Sequence, residues 1–585
     1  MKRYISYLCI CGLMFSLSCS EDFLERYPQD ELRPEEYFKT VNDLKLYANR
    51  FYLVLPNHNV NYYGGTFYVD KNSDNLVPGP FDTRLSGTRT IPSSGGGWDW
   101  SNIRQANYFL DHCSEVEGDI AGIRLYIAEV KFFKALLYFD KLKTFGDVPW
   151  ISSALTTNSP ELFYPRDSRK LVADSIIACL DYAIDYLSDR NNAEPFRLNK
   201  ESALLLKARV CLYEGTWEKY HINTPFGVEG EDGSSYIQMA ADAVNELIQM
   251  GTCNIYTGPA GKEYWSLFNQ LDYSDNPEVM LWKKYDVGLN IYHHISSYLS
   301  GGASDIGVSK SLVDDYLCTD GKPISVSPGF MGHDSIEIEV LNRDPRLSQT
   351  IFLPGYYRQI NSPGGTSDMQ YQKPAIDLNG QFRATTGYCL YKGANPDYYQ
   401  HTSAGGWMGS IIFRYTEALL ILAEAKAELG TITQSDIDKT VNAIRDRVGM
   451  IHLDLSNITS DPDWDFPDLS PVINEIRRER RVEMAFEAQR WDDLARWRAH
   501  HLITGQRPRG CKYIGSDLEG TYFDPSGNPS IKLNINLYVD ENGFIDPYQM
   551  VLPDGYGFVP GRDYLSPVPS DELTLNDKLF QNAGW

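Results

Sequence analysis

The sequence predicts a mainly α-helical protein in which antiparallel helical pairs stack as a solenoid, with long irregular loops and a few short strands. Two observations support this class. Residues 35–55, 100–250 and 410–500 are rich in strong helix formers, with apolar residues three or four positions apart. Residues 56–100 and 254–410 are instead rich in Gly, Pro, Asn and aromatic residues without a helical period. The helical segments therefore form the predicted core, and the irregular segments are predicted to lie on the ligand side.

Residues 1–18 are predicted to be a signal peptide. Lys2 and Arg3 precede an apolar run that ends at Leu17 and is too short to span a bilayer as a mature helix. Cys19 closes this run and is followed by Ser-Glu-Asp. No later segment of the sequence is apolar enough to cross a membrane.

The charge and the cysteines exclude several classes of function. The chain carries 54 basic and 78 acidic residues, a formal charge of −24, which argues against nucleic acid and anionic membrane surfaces as partners. Seven of the ten cysteines follow Cys19, and none forms a Cys-x-x-Cys motif. This odd number predicts neither a zinc site nor a complete disulfide framework. Cys113, Cys179 and Cys211 lie in apolar helical contexts that are typical of buried free thiols.

The predicted helices follow from apolar spacing and from the residues that end them. A helix near Leu44–Tyr52 precedes a long loop that contains glycines, aromatics and carboxylates and is therefore predicted to be functional. Gly146 and Pro149 end the helix that begins near Ile120. The further predicted helices are Ser101–Cys113, Ile120–Lys143, Leu171–Leu187, Lys200–Tyr213, Tyr236–Met250, Ser309–Tyr316, Arg414–Ala425 and Val441–Met450. Residues 505–563 are predicted as loops and short strands.

Two charged segments are predicted to brace the fold. Arg343-Asp344-Pro345-Arg346 suits an arginine–carboxylate clamp on a loop. The stretch Asn474–Trp497 contains no Gly or Pro and predicts helix, with Arg480 and Glu487 on its apolar stripe. A charge buried there requires a partner, because removal of one member of a buried pair costs about 3–5 kcal/mol. Arg490 and Trp491 at the far end suit stacking and carboxylate binding.

The pattern Glu479-Arg-Arg-x-Glu-x-x-Phe-Glu-x-x-Arg-Trp-x-Asp-Leu-x-Arg-Trp497 resembles the C-terminal hallmark of the SusD/RagB family of Bacteroidetes nutrient-uptake lipoproteins. That family usually has Gly after Phe-Glu, where this chain has Ala488, which we expect to stiffen the helix. Further family-like segments are 129–149, 319–323, 343–347, 414–425 and the C-terminal Gln581-Asn-Ala-Gly-Trp585. The resemblance extends from Cys19 to Trp585, which implies one SusD-like domain over residues 19–585.

This resemblance implies tetratricopeptide-like helical pairs and a cell-surface protein of the outer membrane, anchored by lipid at Cys19. It also implies capture of oligosaccharides and their delivery to a TonB-dependent transporter of the SusC type. The ligand site is expected in loops lateral to the solenoid, without catalytic residues. Three alternatives stay open: capture of peptides as in RagB-like relatives, an all-helical glycoside hydrolase, and a helical-repeat scaffold without a small ligand.

Asp70, Asn72 and Asp74 have the opening spacing of a calcium loop. However, Asn75 replaces the expected Gly, and Phe81 stands where the bidentate Glu should be. The segment could therefore hold a structural calcium ion, or form a polar loop that binds its own backbone. We favour a third interpretation, in which these groups accept hydrogen bonds from ligand hydroxyls. No other cofactor or metal is predicted.

Aromatic side chains of the irregular segments suit a sugar ring, which offers apolar C–H faces and a rim of hydroxyls. Trp98 follows three glycines and Trp407 follows Gly405-Gly406, and such runs are expected to let the backbone present the ring outward. Tyr292 and Tyr298 are further candidate ligand residues. The alternative for each ring is burial within the loop core.

Overall fold

The structure is a computed structural model, which describes residues 37–59, 65–301, 305–366, 368–403 and 405–585. The predicted signal peptide at residues 1–18 and the predicted lipidation site Cys19 lie outside these residues. Within the described residues, no helix combines the length and the apolar character that a membrane span requires.

The structure confirms the mainly α fold class, with stacked helical pairs and few short strands. A π-helical turn, Asp438–Asn442, joins the short helices Gln434–Ile437 and Ala443–Asp446. The α-helices in chain order are α1 Val41–Ala48, α2 Thr66–Val69, α3 Ser101–His112, α4 Ile120–Phe145, α5 Arg169–Tyr186, α6 Lys200–Tyr220, α7 Ser234–Met250, α8 Ile295–Gly301, α9 Lys310–Asp315, α10 Ile336–Glu339, α11 Pro345–Thr350, α12 Tyr415–Glu428, α13 Gln434–Ile437, α14 Ala443–Asp446, α15 Pro471–Glu483, α16 Arg490–Arg496 and α17 Ser570–Leu575.

The solenoid consists of helices that each pack against the next. Helix α4 packs on α5, α5 on α6 and α6 on α7, and α12 then packs on both α7 and α15. Helices α7 and α12 are thus neighbours in space, although residues 251–414 separate them in the chain. This long segment is an excursion from the solenoid that returns to it at α12.

Helix α6 continues to Tyr220, beyond the predicted end at Tyr213. The continuation passes through Gly215, which lies against the start of α7. A Cβ atom at Gly215 would lie 2.6 Å from Ile237 Cγ1 and 2.7 Å from the Gly233 carbonyl oxygen. The glycine therefore allows close approach of two helices, which offsets its low helix propensity.

Two small antiparallel sheets lie in the irregular segment. Strand β1, Val279–Lys283, pairs with β4, Ser410–Arg414, so that Lys283 lies opposite Ser410. Strand β2, Tyr357–Gln359, pairs with β3, Met369–Gln370. Because β4 leads directly into α12, the first sheet lies beside the solenoid, at the point where the segment 251–414 returns to it.

The two largest clusters of buried apolar side chains lie mainly within the solenoid and mainly within the irregular segment, respectively. Cys113, Cys179 and Cys211 are buried free thiols, and so are the other cysteines of the described residues. Burial raises the pKa of the Cys211 thiol to about 12, which leaves it protonated at neutral pH.

Candidate functional site

The stretch Asn474–Trp497 is not one helix, because α15 ends at Glu483 and α16 begins at Arg490. Between them, Phe486 and Ala488 have φ of +64° and +61°. The expectation that Ala488 stiffens a helix is therefore wrong. Its backbone is left-handed, a conformation that costs a residue with a Cβ atom about 1–2 kcal/mol. The Gly that the family usually has at this position would adopt it without that cost.

The turn between these helices, Met484–Gln489, is held by buried ion pairs. Glu483 accepts hydrogen bonds from Arg414 at 2.8 Å, Arg447 at 2.7 Å and Arg346 at 3.0 Å. Burial disfavours the carboxylate, but these three guanidinium groups hold the pKa of Glu483 well below its usual range. Glu487 pairs with Arg414 at 2.6 Å. Three segments distant in sequence thus meet at one carboxylate.

Lys392 brings the loop after residue 390 to the same turn. Its fully buried ammonium group donates to Glu487 Oε1, to the Tyr264 hydroxyl and to the Ala485 carbonyl oxygen, each at 2.7 Å. Burial lowers the pKa of Lys392 to about 8, although Glu487 favours the charged form. The irregular segment is therefore fixed to the turn by a fully bonded lysine.

The other charged residues singled out in the sequence are also engaged within the fold. Arg346 pairs with Asp344 at 2.7 Å. Arg343 instead donates to backbone carbonyl oxygens, at 2.6 Å to Val313 and 2.7 Å to Tyr316.

Helix α16 is held from both sides. Arg480 on α15 pairs with Asp493 at 2.8 Å. The guanidinium carbon of Arg84 lies over the Trp491 ring, 4.6 Å from the ring centroid.

Asp70 and Asp74 contact the same turn from the N-terminal side. Asp74 pairs with Arg490 through both oxygens at 2.7 Å, and Arg481 lies at 3.1 Å. Burial would raise the pKa of Asp74, but Arg481 and Arg490 lower it to about 2. Asp70 is 1% exposed and accepts the Phe486 N–H at 2.8 Å. Burial raises the pKa of Asp70 to about 6. Both carboxylates are thus committed to partners within the chain.

Asn72 lies between them on a 3₁₀ turn, and its side-chain oxygen is buried without a hydrogen-bond partner among the described residues. The part of the chain that the structure describes contains no group of three or more His, Cys, Asp or Glu side chains that could hold a metal ion. Because Asp74 already binds two guanidinium groups, the segment is poorly suited to a cation. The structural calcium ion stays a prediction.

Trp98 is only 9% exposed, and its ring packs on Phe145 at 4.9 Å between centroids rather than pointing outward. It forms, with Trp100, the wall of a cleft of about 670 Å³. The cleft is lined mainly by apolar side chains, and Phe163 and Tyr164 at its rim are 51% and 45% exposed. These two rim residues are not predicted from the sequence, because a lone Phe-Tyr pair after Pro160 resembles an ordinary loop.

Tyr292 and Trp407 are brought together by a short backbone pairing. The His293 N–H donates to the Gly406 carbonyl oxygen at 3.0 Å, and the Gly406 N–H donates back at 2.7 Å. In an antiparallel pair the flanking residues, here Tyr292 and Trp407, lie opposite each other on the same face. Both side chains are partly exposed. We call this pair the loop platform.

Neighbouring groups position the platform. The ring of Tyr292 lies directly over Gly405, where a Cβ atom would be 2.2 Å from Tyr292 Cδ2. The side-chain carbonyl of buried Gln400 accepts the Trp407 N–H at 2.9 Å. Buried His293 contacts the Met408 carbonyl oxygen at 2.8 Å through Nε2. Burial lowers the pKa of His293 to about 4, so this ring is neutral and structural at pH 7.

The structure does not bring all of the candidate ligand residues to one place. Tyr298 is 4% exposed and packs edge-on against Tyr68 at 6.1 Å. The recorded ring contacts of Trp98 are with Trp100 at 5.3 Å and Phe145 at 4.9 Å, and neither residue belongs to the loop platform. Tyr399, beside Gln400, is a further exposed aromatic residue, with 52% of its surface accessible.

Residues 274–585 match the model of the SusD family. A relative from Formosa agariphila, SusD-like protein P38, is 25% identical over 530 residues, covering 85% of this chain and 92% of that protein. A SusD-like carbohydrate-binding protein from Bacteroides fragilis superposes with a TM-score of 0.70 at 21% identity, over 93% of this chain and 100% of that one.

The crystal structure of a third relative is of its complex with a xylogluco-oligosaccharide. It superposes with a TM-score of 0.59 at 18% identity, over 92% of this chain and 97% of that one. The structural likenesses establish the fold. The family model spans more than half of the chain and includes α15, α16 and the turn between them. The chain belongs to the SusD family.

Proposed function

We propose that this protein binds oligosaccharides at the loop platform and delivers them to a TonB-dependent transporter of the SusC type in the outer membrane. The observation that carries the proposal is the backbone pairing of His293 with Gly406, which places Tyr292 opposite Trp407, two residues with partly exposed side chains. Two structural relatives, one described as carbohydrate binding and one with a xylogluco-oligosaccharide, support the ligand class.

The chemistry of such a site is stacking. A pyranose ring places its C–H face on an aromatic ring, and its hydroxyls remain at the edge for water and polar groups. The platform requires no proton transfer, and the nearby histidine His293 is buried and neutral. We therefore propose capture without catalysis, with lipid attachment at Cys19 holding the protein at the cell surface.

The test measures binding of a xyloglucan heptasaccharide and a panel of other neutral oligosaccharides by calorimetry. Tyr292→Ala and Trp407→Ala should each weaken the affinity about tenfold, since loss of one stacked ring costs on the order of 1 kcal/mol. Tyr186→Ala, at a partly exposed tyrosine on α5, is the matched control. Unchanged affinity in both platform variants would refute the site. Release of reducing sugar by the pure protein would refute the absence of catalysis.

The cleft beside Trp98 and Trp100 favours a second candidate function, the capture of peptides. Its apolar lining and exposed Phe163 suit hydrophobic side chains better than a ring of hydroxyls. A peptide library screened beside a glycan array separates the two functions. Peptide binding that is lost in Trp100→Ala and retained in Trp407→Ala would favour this second candidate.

A further inference from the structure

A groove of about 370 Å³ lies away from the loop platform, beside strand β1. Its walls combine the residues that follow α1, the turn before α6 and the end of β1. Neither platform ring lines it. The residues that line it are Asn49, Tyr52, Leu53, Leu55, Pro195, Phe196, Arg197, Leu281, Trp282, Lys283, Lys284 and Ile412.

The charge of this groove is opposite to that of the protein. Arg197, Lys283 and Lys284 line it, and no acidic side chain does, although the chain as a whole carries −24. Arg197 pairs with buried Glu129 at 2.5 Å. Lys284 lies 3.7 Å from Asp272, and both side chains are about half exposed, so this pair is weak.

Lys283 differs from these two cations. It is half-buried, and the described residues provide no carboxylate within ion-pair distance of its ammonium group. Burial accordingly lowers the pKa of Lys283, and no neighbouring carboxylate raises it again. The recorded contact of its ammonium group is the Tyr285 ring, 6.0 Å from the centroid, and a partly buried cation without a carboxylate is stabilised when an anion approaches it. The groove therefore holds an unmatched positive charge.

An aromatic ring stands over the same groove on a strained turn. The Arg197 N–H donates to the Glu194 carbonyl oxygen at 3.2 Å, with Pro195 and Phe196 at the two central positions. Phe196 has φ of +66°, as the third residue of a type II turn requires, where Gly or Asn is usual. A bulky residue in this conformation is an outlier, and such outliers concentrate at functional positions.

The strain presents the ring to solvent. Phe196 is 43% exposed, its edge lies on Trp282 at 5.2 Å between centroids, and Lys284 Nζ is 5.6 Å from its centroid. Leu53 across the groove is 77% exposed. The Phe196 ring and Lys283, which has no carboxylate partner, thus line one groove, with Lys284 beside the ring.

We propose that this groove is a second saccharide site, selective for sugars that carry an anionic group. The C–H face of the sugar lies on Phe196, and its carboxylate or sulfate ester pairs with Lys283 of the same groove. This inference extends the ligand range of the protein beyond neutral oligosaccharides. It does not depend on the platform.

The probes are trigalacturonic acid, its neutral methyl ester and a 6-sulfated galactose trisaccharide, measured by calorimetry at low and high salt. The acid or the sulfated sugar should bind, with affinity that falls as salt rises, and the methyl ester should bind at least tenfold more weakly. The two anionic probes distinguish a carboxylate ligand from a sulfate ligand. Equal affinity for acid and ester, or no binding of either anion, would overturn the proposal.

Two variants test the residues. Phe196→Gly removes the ring and also relieves the turn, so the melting temperature should stay equal or rise while binding falls at least tenfold. Lys283→Gln should reduce binding similarly, and Lys439→Gln, at an exposed lysine that does not line the groove, is the matched control. Retained binding in both Phe196→Gly and Lys283→Gln would overturn the proposal. Tyr292→Ala should leave anion binding unchanged, which separates this test from that of the loop platform.

Discussion

Arg490 donates two hydrogen bonds to the carboxylate of Asp74, from Nε to Oδ1 and from Nη2 to Oδ2, each 2.7 Å long. The two residues are 416 positions apart in the chain. This planar pairing fixes the loop after α2 to the first turn of α16. It is one of several arginine–carboxylate pairs that hold irregular segments against the turn Met484–Gln489.

Loss of one partner should destabilise the fold strongly. Arg490→Leu leaves the Asp74 carboxylate buried beside Arg481 alone, and we expect the free energy of unfolding in urea to fall by about 3 kcal/mol. Replacement of both partners, Asp74→Leu with Arg490→Leu, should cost less than the sum of the single changes. A loss below about 1 kcal/mol in Arg490→Leu would show that the pair contributes little.

Ala488→Gly should stabilise the protein by about 1 kcal/mol, because the residue has φ of +61° and the substitution removes a strained Cβ atom. Part of the gain is offset by the greater freedom of glycine in the unfolded chain. Urea unfolding measures the change. Ala425→Gly within α12 is the matched control and should destabilise by at least about 1 kcal/mol. If Ala488→Gly lowered the free energy of unfolding, the proposed backbone strain at Ala488 would be contradicted.

Stability should depend on the ionisation of Asp70. Burial raises the pKa of this carboxyl to about 6, whereas in the unfolded chain it ionises near pH 4. The contribution of Asp70 to the free energy of unfolding is therefore fully present below about pH 4 and is lost as the pH rises through about 6. The loss is on the order of 2–3 kcal/mol.

Asp70→Asn should abolish this part of the pH dependence in urea unfolding between pH 4 and pH 7. Exposed Asp185→Asn on α5 serves as the control for general loss of a charge. An Asp70→Asn variant with the same pH dependence as the unmodified protein would show that another group is responsible.

Gly405→Ala should weaken oligosaccharide binding by displacing a platform ring, since its Cβ atom would lie 2.2 Å from Tyr292 Cδ2. We expect an affinity loss of about tenfold by calorimetry, comparable to that of Tyr292→Ala. Gly380→Ala is the matched control, because Gly380 also has positive φ but has no atom near the added Cβ. Equal affinity in both variants would indicate that the position of Tyr292 does not matter for binding.

The sequence predicted the helical solenoid well, because helix periodicity and end signals such as Gly146 are local. The break at Met484–Gln489 could not be predicted by the same means, since every residue there is an acceptable helix former and the left-handed turn depends on ion pairs with remote segments. The one available signal was the family preference for Gly at the position of Ala488.

The aromatic residues were harder to place for a related reason. Exposure depends on which elements cover a ring, and a run of glycines does not determine this. Trp98 follows three glycines and is nevertheless buried on Phe145, whereas Trp407 also follows glycines and stays partly exposed. The pairing of Tyr292 with Trp407 joins two segments 115 residues apart, which no local pattern indicates. The groove at Phe196 was not predicted, because Pro195-Phe196 lacks the glycine that usually marks such a turn.

The ion pair between residues 74 and 490 also constrains how the protein reaches its folded state. Nearly the whole polypeptide must be present before this contact can form, and closure of so long a loop slows the search for it. The solenoid helices α4 to α7, by contrast, each pack against the next helix in the chain and can make these contacts early. We therefore expect the loops that carry the proposed ligand sites to become ordered last, when the C-terminal helices α15 and α16 reach their places.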